Sequence, residues 1–218
     1  MAESKTPIIR TARRDEMIAA ARVYLAAFPE TLTDLALPDM RPLAIADVMT
    51  ICQRAEPGAF TVAELDGGVV GYAICPSDSG RIWRSGLIRG ALLCMFWHWI
   101  TGRYGIGLRA ALRVVSEKLM FWRHESLPQA SCPARILSVA VDPSAQGLGL
   151  GRKLTEAGLG YLRGRGVRCV RLEVRPGNAA ARHIYESVGF RDVGVIHDTR
   201  GPWDVMMLDM ADGPDGSA

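Results

Sequence analysis

The chain has no cysteine pair at CxxC spacing. Its five cysteines, Cys52, Cys75, Cys94, Cys132 and Cys169, are scattered and odd in number, and none makes a metal-ligand spacing with the four histidines. No metal is therefore expected, and the cysteines read as buried or incidental thiols in a reducing cytosol. Residues 1–14 lack the apolar core of a signal peptide, so a cytoplasmic location is expected. The apolar run over 91–100 (ALLCMFWHWI) is too short to span a bilayer. The formal charge of +3 is too small to imply a polyanionic partner by itself. With no nucleic-acid module in sight, no nucleic-acid partner is expected. No internal repeat is visible.

What is present is a chain of 218 residues, 49% hydrophobic and 22% charged, with ample apolar material for a core. One domain over 1–210 is expected, carrying an insertion at about 77–131, with a polar, turn-rich tail at 211–218. Residues 7–12 read as a strand, and 14–28 and 39–54 as helices from their apolar spacing. The runs 59–65 and 69–75 flank Asp66, Gly67 and Gly68, a hairpin signal. From Ile136 onward, strand and helix alternate: strand 136–141, helix 148–163, strand 167–174 and helix 178–188. A closing pair of strands follows at 190–197 and 205–210, joined around Gly201 and Pro202.

Between the strand at 136–141 and the next helix lies Gln146, Gly147, Leu148, Gly149, Leu150, Gly151. Backbone N–H groups at such a strand-to-helix turn can converge on one anion, and the helix dipole favours negative charge there. Glycines let the backbone approach closely, and Arg152 and Lys153 add positive charge. The glycines run GxGxG, not the GxGxxG of a dinucleotide site, and the Gly-Lys-Ser/Thr of a Walker loop is absent. A turn that only packs helix on sheet is the plainer alternative.

Gln146-x-x-Gly149-x-Gly151 matches the Q/R-x-x-G-x-G/A signature of the GNAT superfamily of acyl-CoA N-acyltransferases. Downstream, Asn178, Ala181, Tyr185, Gly189 and Phe190 match its second signature. The run from Leu172 to Phe190 resembles the bacterial ribosomal-protein N-terminal acetyltransferases in particular. The resemblance is strong over about 135–197, weaker before it, and absent over roughly 77–131.

It implies an α/β fold: a mixed, mostly antiparallel, splayed sheet flanked by helices, with a helical insertion before the donor-binding strand. It implies acetyl-CoA as acyl donor, held along Val139, Ala140 and Val141, on Gln146 to Arg152 (Gly147, Leu148, Gly149, Leu150 and Gly151 between them), and by Asn178 and Ala181. Tyr185 is implied as the acid that protonates the leaving thiolate, and a backbone N–H, that of Val139, as the oxyanion donor. Tyr185 could instead pack its ring, and Asn178 could cap its helix. For the base, Arg135, Leu137 and Ser138 offer nothing. Glu173, twelve residues before Tyr185 at the spacing of the ribosomal-protein enzymes, is the candidate; a solvated face residue is its plainer reading. His183 points elsewhere and reads as surface.

The stretch 81–124 holds eight basic residues against one acidic, a net +7, and four of the five tryptophans. It reads as two or three inserted helices whose ends flank the cleft. A peripheral membrane contact, an anionic acceptor site, and a lid or homodimer surface all remain open for it. Compact protein-directed relatives lack such a segment. The acceptor is therefore expected to be a small-molecule amine, such as an amino sugar or lipid-associated amine. A protein N-terminal or lysine acetyltransferase, and a non-catalytic acyl-CoA-binding regulator, are the alternatives.

Overall fold

The computed structural model describes residues 6–34, 37, 39–88, 90–107, 132–198 and 201–210. The 108–131 part of the expected insertion and the 211–218 tail lie outside the described residues. In chain order come β1 (Ile8–Thr11), α1 (Met17–Ala27), α2 (Pro29–Asp34), α3 (Pro42–Ala55), β2 (Phe60–Leu65), β3 (Gly68–Ile74), α4 (Ser79–Ile88) and α5 (Ala91–Ile100). Then follow β4 (Ala134–Ile136), β5 (Ser138–Val141), α6 (Leu150–Gly164), β6 (Cys169–Val174), α7 (Ala179–Ser187), β7 (Arg191–Asp198) and β8 (Gly201–Asp209).

Among the described residues two four-stranded sheets form, in the orders β1-β2-β3-β5 and β4-β6-β8-β7, with β4 on β6 the one parallel pairing. The hairpin β2–β3 turns on Asp66 (φ 55°) and Gly67 (φ 78°), both left-handed as a type I′ turn requires. The strand expected over 136–141 begins two residues earlier and is interrupted at Leu137. Its first half pairs with β6 and its second half with β3. One strand therefore belongs to two sheets, and that sharing is the splay.

Alternation along β2 and β3 gives each sheet face its own core. Phe60, Val62, Tyr72 and Ile74 pack with α1 and α3. Ala63, Ala73 and Cys75 pack on the other side with Leu150, Leu154, Leu159 and Leu162 of α6. Each of those leucines contributes on the order of 2 kcal/mol by burial. A Cβ at Gly158 would stand 2.4 Å from Cys75 Sγ, so α6 can lie this close to the end of β3 only with glycine there. Near the N-terminus, Arg10 on β1 bridges the carboxylates of Glu16 and Glu64. Chiefly through its hydrogen bond from Arg10, the Glu16 carboxyl is lowered to about 2.

The expectation of five free thiols is corrected. Cys132 and Cys169 form a disulfide, their Cα atoms 5.7 Å apart. Strand register is the cause: Ala134 lies opposite Val170 in the parallel pair, bringing Cys132 beside Cys169. Cys52 and Cys75 are buried thiols and Cys94 an exposed one.

The segment after β3 leaves the sheet and returns at one place. Ser79 N–H donates to Pro133 O, and Arg135 N–H to Pro76 O, both at 3.1 Å. Its helices α4 and α5 pack on α3. Asp47 of α3 meets His98 Nδ1 at 2.7 Å and accepts from the Tyr104 hydroxyl at 2.6 Å.

Candidate functional site

Past Ile136 and Leu172, β5 and β6 no longer pair, and a gap opens between the sheets. What lines it follows from ladder geometry. Asp142 N–H donates to Val70 O at 2.8 Å, so it points at β3. Residues two apart on an antiparallel strand point the same way. The N–H of Ala140 therefore also faces β3, while those of Val139 and Val141 face away from it, into the gap. Of the three residues expected to line the donor, Val139 and Val141 present backbone N–H groups to the gap, and Ala140 presents its own to β3.

The turn follows directly. Asp142 accepts from Ser144 N–H at 3.0 Å and so fixes the single 3-10 turn over Pro143–Ala145. Gln146 Nε2 reaches back to Val141 O at 3.4 Å. Gly147 (φ 81°) and Gly149 (φ 70°) are left-handed, and Gly149 is the N-cap of α6. A Cβ built on either would touch nothing within 4 Å. Their glycine identity serves the backbone curve and open space outside it, not packing within the chain. Among the described residues no side chain caps α6, so the first N–H groups of this 15-residue helix lack a side-chain partner, the arrangement that accepts an anion. Gly151 has a different reason: a Cβ there would press Ile184 Cδ1 of α7 at 3.1 Å. Leu150 is buried in the core, Leu148 exposed, and Arg152 is ion-paired with Glu156 at 2.7 Å.

Tyr185 on α7 is buried in the cluster that Val139, Val141, Ala181 and Ile184 flank. Its ring stands edge-on to Phe190, centroids 5.8 Å apart. Burial, with the neighbouring Cys75 thiol, pushes its phenol above the ordinary tyrosine value. Among the described residues its hydroxyl has no hydrogen-bond partner. Asn178 is the N-cap of α7, its Oδ1 accepting from Ala181 N–H at 3.1 Å. The capping role is thus realised, and the amide NH₂ keeps its donors. Arg182 ties α7 to Asp192 and Asp204 on β7 and β8, while His183 is exposed.

Glu173 alternates with Leu172 and Val174, which lie in the Tyr185 cluster, so its side chain is on the other face of β6. There it meets Arg171 Nε at 2.8 Å and Arg135 Nη1 at 3.6 Å, all three side chains nearly buried. Tyr185 and Glu173 thus lie on opposite faces of β6. The two arginines were missed as partners in the sequence, although charges at every second position of 134–136 and 169–174 were the available signal. At the end of β6, Arg175 pairs with Asp198 at 3.0 Å and stacks 3.9 Å over Trp203, walling the Glu173 side. Among the described residues no cluster of His, Cys, Asp and Glu could hold a metal.

Comparison with known proteins agrees with this fold. The profile of the Acetyltransferase (GNAT) family matches residues 18–190. The mycothiol acetyltransferase of Rhodococcus erythropolis is 46% identical over 71 residues, 32% of this chain and 24% of that protein. The chain thus spans about a quarter of that relative's length. Among solved structures, the ribosomal-protein-S18-alanine N-acetyltransferase of Escherichia coli superposes with TM-score 0.55 at 20% identity, covering 98% of this chain and 99% of that one. The yncA protein of Salmonella typhimurium, solved with acetyl-CoA, gives TM-score 0.56 at 18% identity, covering 97% and 98%. At these identities the two structures speak for the fold.

Proposed function

Because the chain belongs to the GNAT acetyltransferase family, we propose that it transfers an acetyl group from acetyl-CoA to a primary amine of a small molecule, such as an amino sugar or a lipid-associated amine. The observation that carries this reading is the donor cradle: a gap faced by the Val139 and Val141 N–H groups, leading to the uncapped start of α6. Acetyl-CoA would supply an activated thioester. The backbone amides of 147–152 suit its pyrophosphate, and the Val139 and Val141 backbone, with Asn178 and Ala181 across the gap, suits its pantetheine arm.

The residues then divide the chemistry by sheet face. Val139 N–H donates to the carbonyl oxygen as charge builds there. Tyr185, its phenol kept protonated by burial, donates to sulfur as the C–S bond breaks. Glu173, held by Arg171 and Arg135, takes the proton that the amine gives up as its N–C bond forms. Donor and acceptor thus approach from opposite faces of β6. A small-molecule acceptor is supported by the relatives named mycothiol acetyltransferases and by the helical segment that starts and ends beside β4.

The test is thiol release from acetyl-CoA by the purified full chain over a panel of amino sugars, cysteinyl amines, lipid-linked amines and peptides. Turnover on one of the small amines with none on peptides is the expected result. Turnover on peptide α-amines or lysines alone would overturn the acceptor class. Tight acetyl-CoA binding with no transfer to any amine would instead mark a regulator.

A further inference from the structure

On α5, Leu93, Phe96, Trp97 and Ile100 are exposed by 75%, 56%, 61% and 52%. Their spacing, i, i+3, i+4 and i+7, puts them on one face of the helix. The opposite face is fixed. His98 is bonded to Asp47 at 2.7 Å, and Trp99 Nε1 donates to Ile106 O at 3.1 Å. The apolar stripe cannot roll inward without giving up both bonds. Exposure of four adjacent large apolar side chains is more than a monomer's scattered surface hydrophobics and points to a partner.

Charge decides which partner. Residues 81–107 contain Arg81, Arg84, Arg89 and Arg103 and no Asp or Glu; Arg84 shares Asp78 at 3.1 Å. Arg81 and Arg84 on α4 and Arg103 just after α5 are exposed. A two-fold contact between copies over α5 would set these arginines against their own images, with no acid in the segment to pair them. A surface with an apolar layer under anionic groups satisfies both features. No described helix is long and apolar enough to cross a membrane, so α5, about 15 Å long, would lie flat.

We propose that α5 docks this chain peripherally on an anionic lipid bilayer. Leu93, Phe96, Trp97 and Ile100 enter the boundary between headgroups and acyl chains, and the flanking arginines pair with the anionic headgroups. The proposal is independent of the acetyl-transfer reading, since docking is measured with no acceptor present.

The experiment is flotation of the full chain with phosphatidylcholine vesicles, with and without phosphatidylglycerol. Partitioning should be on the order of tenfold stronger on the anionic vesicles and weaken at high salt. The double variant Phe96→Ser/Trp97→Ser should lower it by roughly tenfold or more, with circular dichroism and acetyl-CoA binding unchanged. A second readout uses the unmutated chain: an NBD fluorophore on the exposed Cys94 thiol should shift to the blue with anionic vesicles. Absence of both flotation and shift overturns the proposal. So does a dimer by light scattering that the double variant splits, if no vesicles bind, because the stripe is then an interface between copies.

Discussion

Arg171 Nε lies 2.8 Å from the Glu173 carboxylate, two residues along one strand and on the same face, with both side chains nearly buried. Removing Arg171 leaves the nearly buried Glu173 carboxylate to the more distant Arg135, at 3.6 Å, a loss of about 3 kcal/mol for a buried charge that gives up its nearer partner. Arg171→Met should lose about that much stability. Arg171→Met/Glu173→Leu should lose clearly less than the sum of its two single changes. Urea unfolding of the four proteins measures this, and simple additivity would mean the two groups do not interact. In the reaction, Glu173→Gln should lower kcat/KM by roughly a hundredfold or more.

Tyr185→Phe removes one hydroxyl and keeps the ring edge-on to Phe190. The variant should fold normally and bind acetyl-CoA within about twofold of the parent, while kcat falls by about a hundredfold or more. The parent phenol sits above its ordinary value of 10.0 through burial. Its proton therefore stays on through pH 10, and this group should add no falling alkaline limb below that pH. Parental turnover in Tyr185→Phe would remove the tyrosine from the mechanism.

At the turn, Gly149 has φ 70° and caps α6. Gly149→Ala should weaken acetyl-CoA binding by roughly tenfold, since an L residue resists the left-handed region by about 1–2 kcal/mol and the added carbon faces the anion's approach. Gly160, on the same helix with free space around it and no positive φ, is the control. Gly160→Ala should raise stability by about 0.5–1 kcal/mol and leave binding alone. Calorimetric titration separates the two.

The Cys132–Cys169 link closes a loop of sequence separation 37. The loop-entropy relation gives it about 4 kcal/mol. Reduction, or Cys132→Ser/Cys169→Ser, should therefore lower Tm by several degrees or more. Before reduction, Cys94 should alkylate quickly, whereas Cys52 and Cys75 are buried and Cys75 is pushed up to about 12 by burial. Mass spectrometry of alkylated peptides reports the pairing directly.

Glu16 supplies an acid limb to stability. Its carboxyl is lowered from 4.5 to about 2, chiefly by the hydrogen bond from Arg10. A lowered carboxyl stabilises the fold fully above its unfolded value and loses that contribution as pH falls from about 4.5 towards 2. Roughly 2 kcal/mol should be gone by pH 3. Urea midpoints at pH 6 and pH 3 should converge in Glu16→Gln relative to the parent.

The strand, turn and helix frame from Ser138 to Ser187 was legible in the sequence because its signals are local. Gly147, Gly149, Asn178 and Tyr185 announce themselves by spacing, and the strands around them by apolar runs. The short helix Pro29–Asp34 was missed, having too few residues for periodicity to register. What sequence could not show depends on register between distant strands. Leu137 breaks its strand only because β6 claims one half and β3 the other. Arg135 reaches Glu173, and Cys132 reaches Cys169, through one parallel pairing whose offset no local pattern encodes.

That same neighbourhood has a further consequence. β3 and β5 are antiparallel neighbours, and the chain between them departs and returns across the 3.1 Å bond from Ser79 N–H to Pro133 O. Topologically they are a hairpin whose turn has been outgrown. Closing a longer loop costs only about 0.6 kcal/mol per doubling of length. The sheet therefore sets the length of this segment only loosely, while its helices hold to α3 through Asp47. Chains built this way can lengthen or shorten that segment while β3 and β5 keep their register.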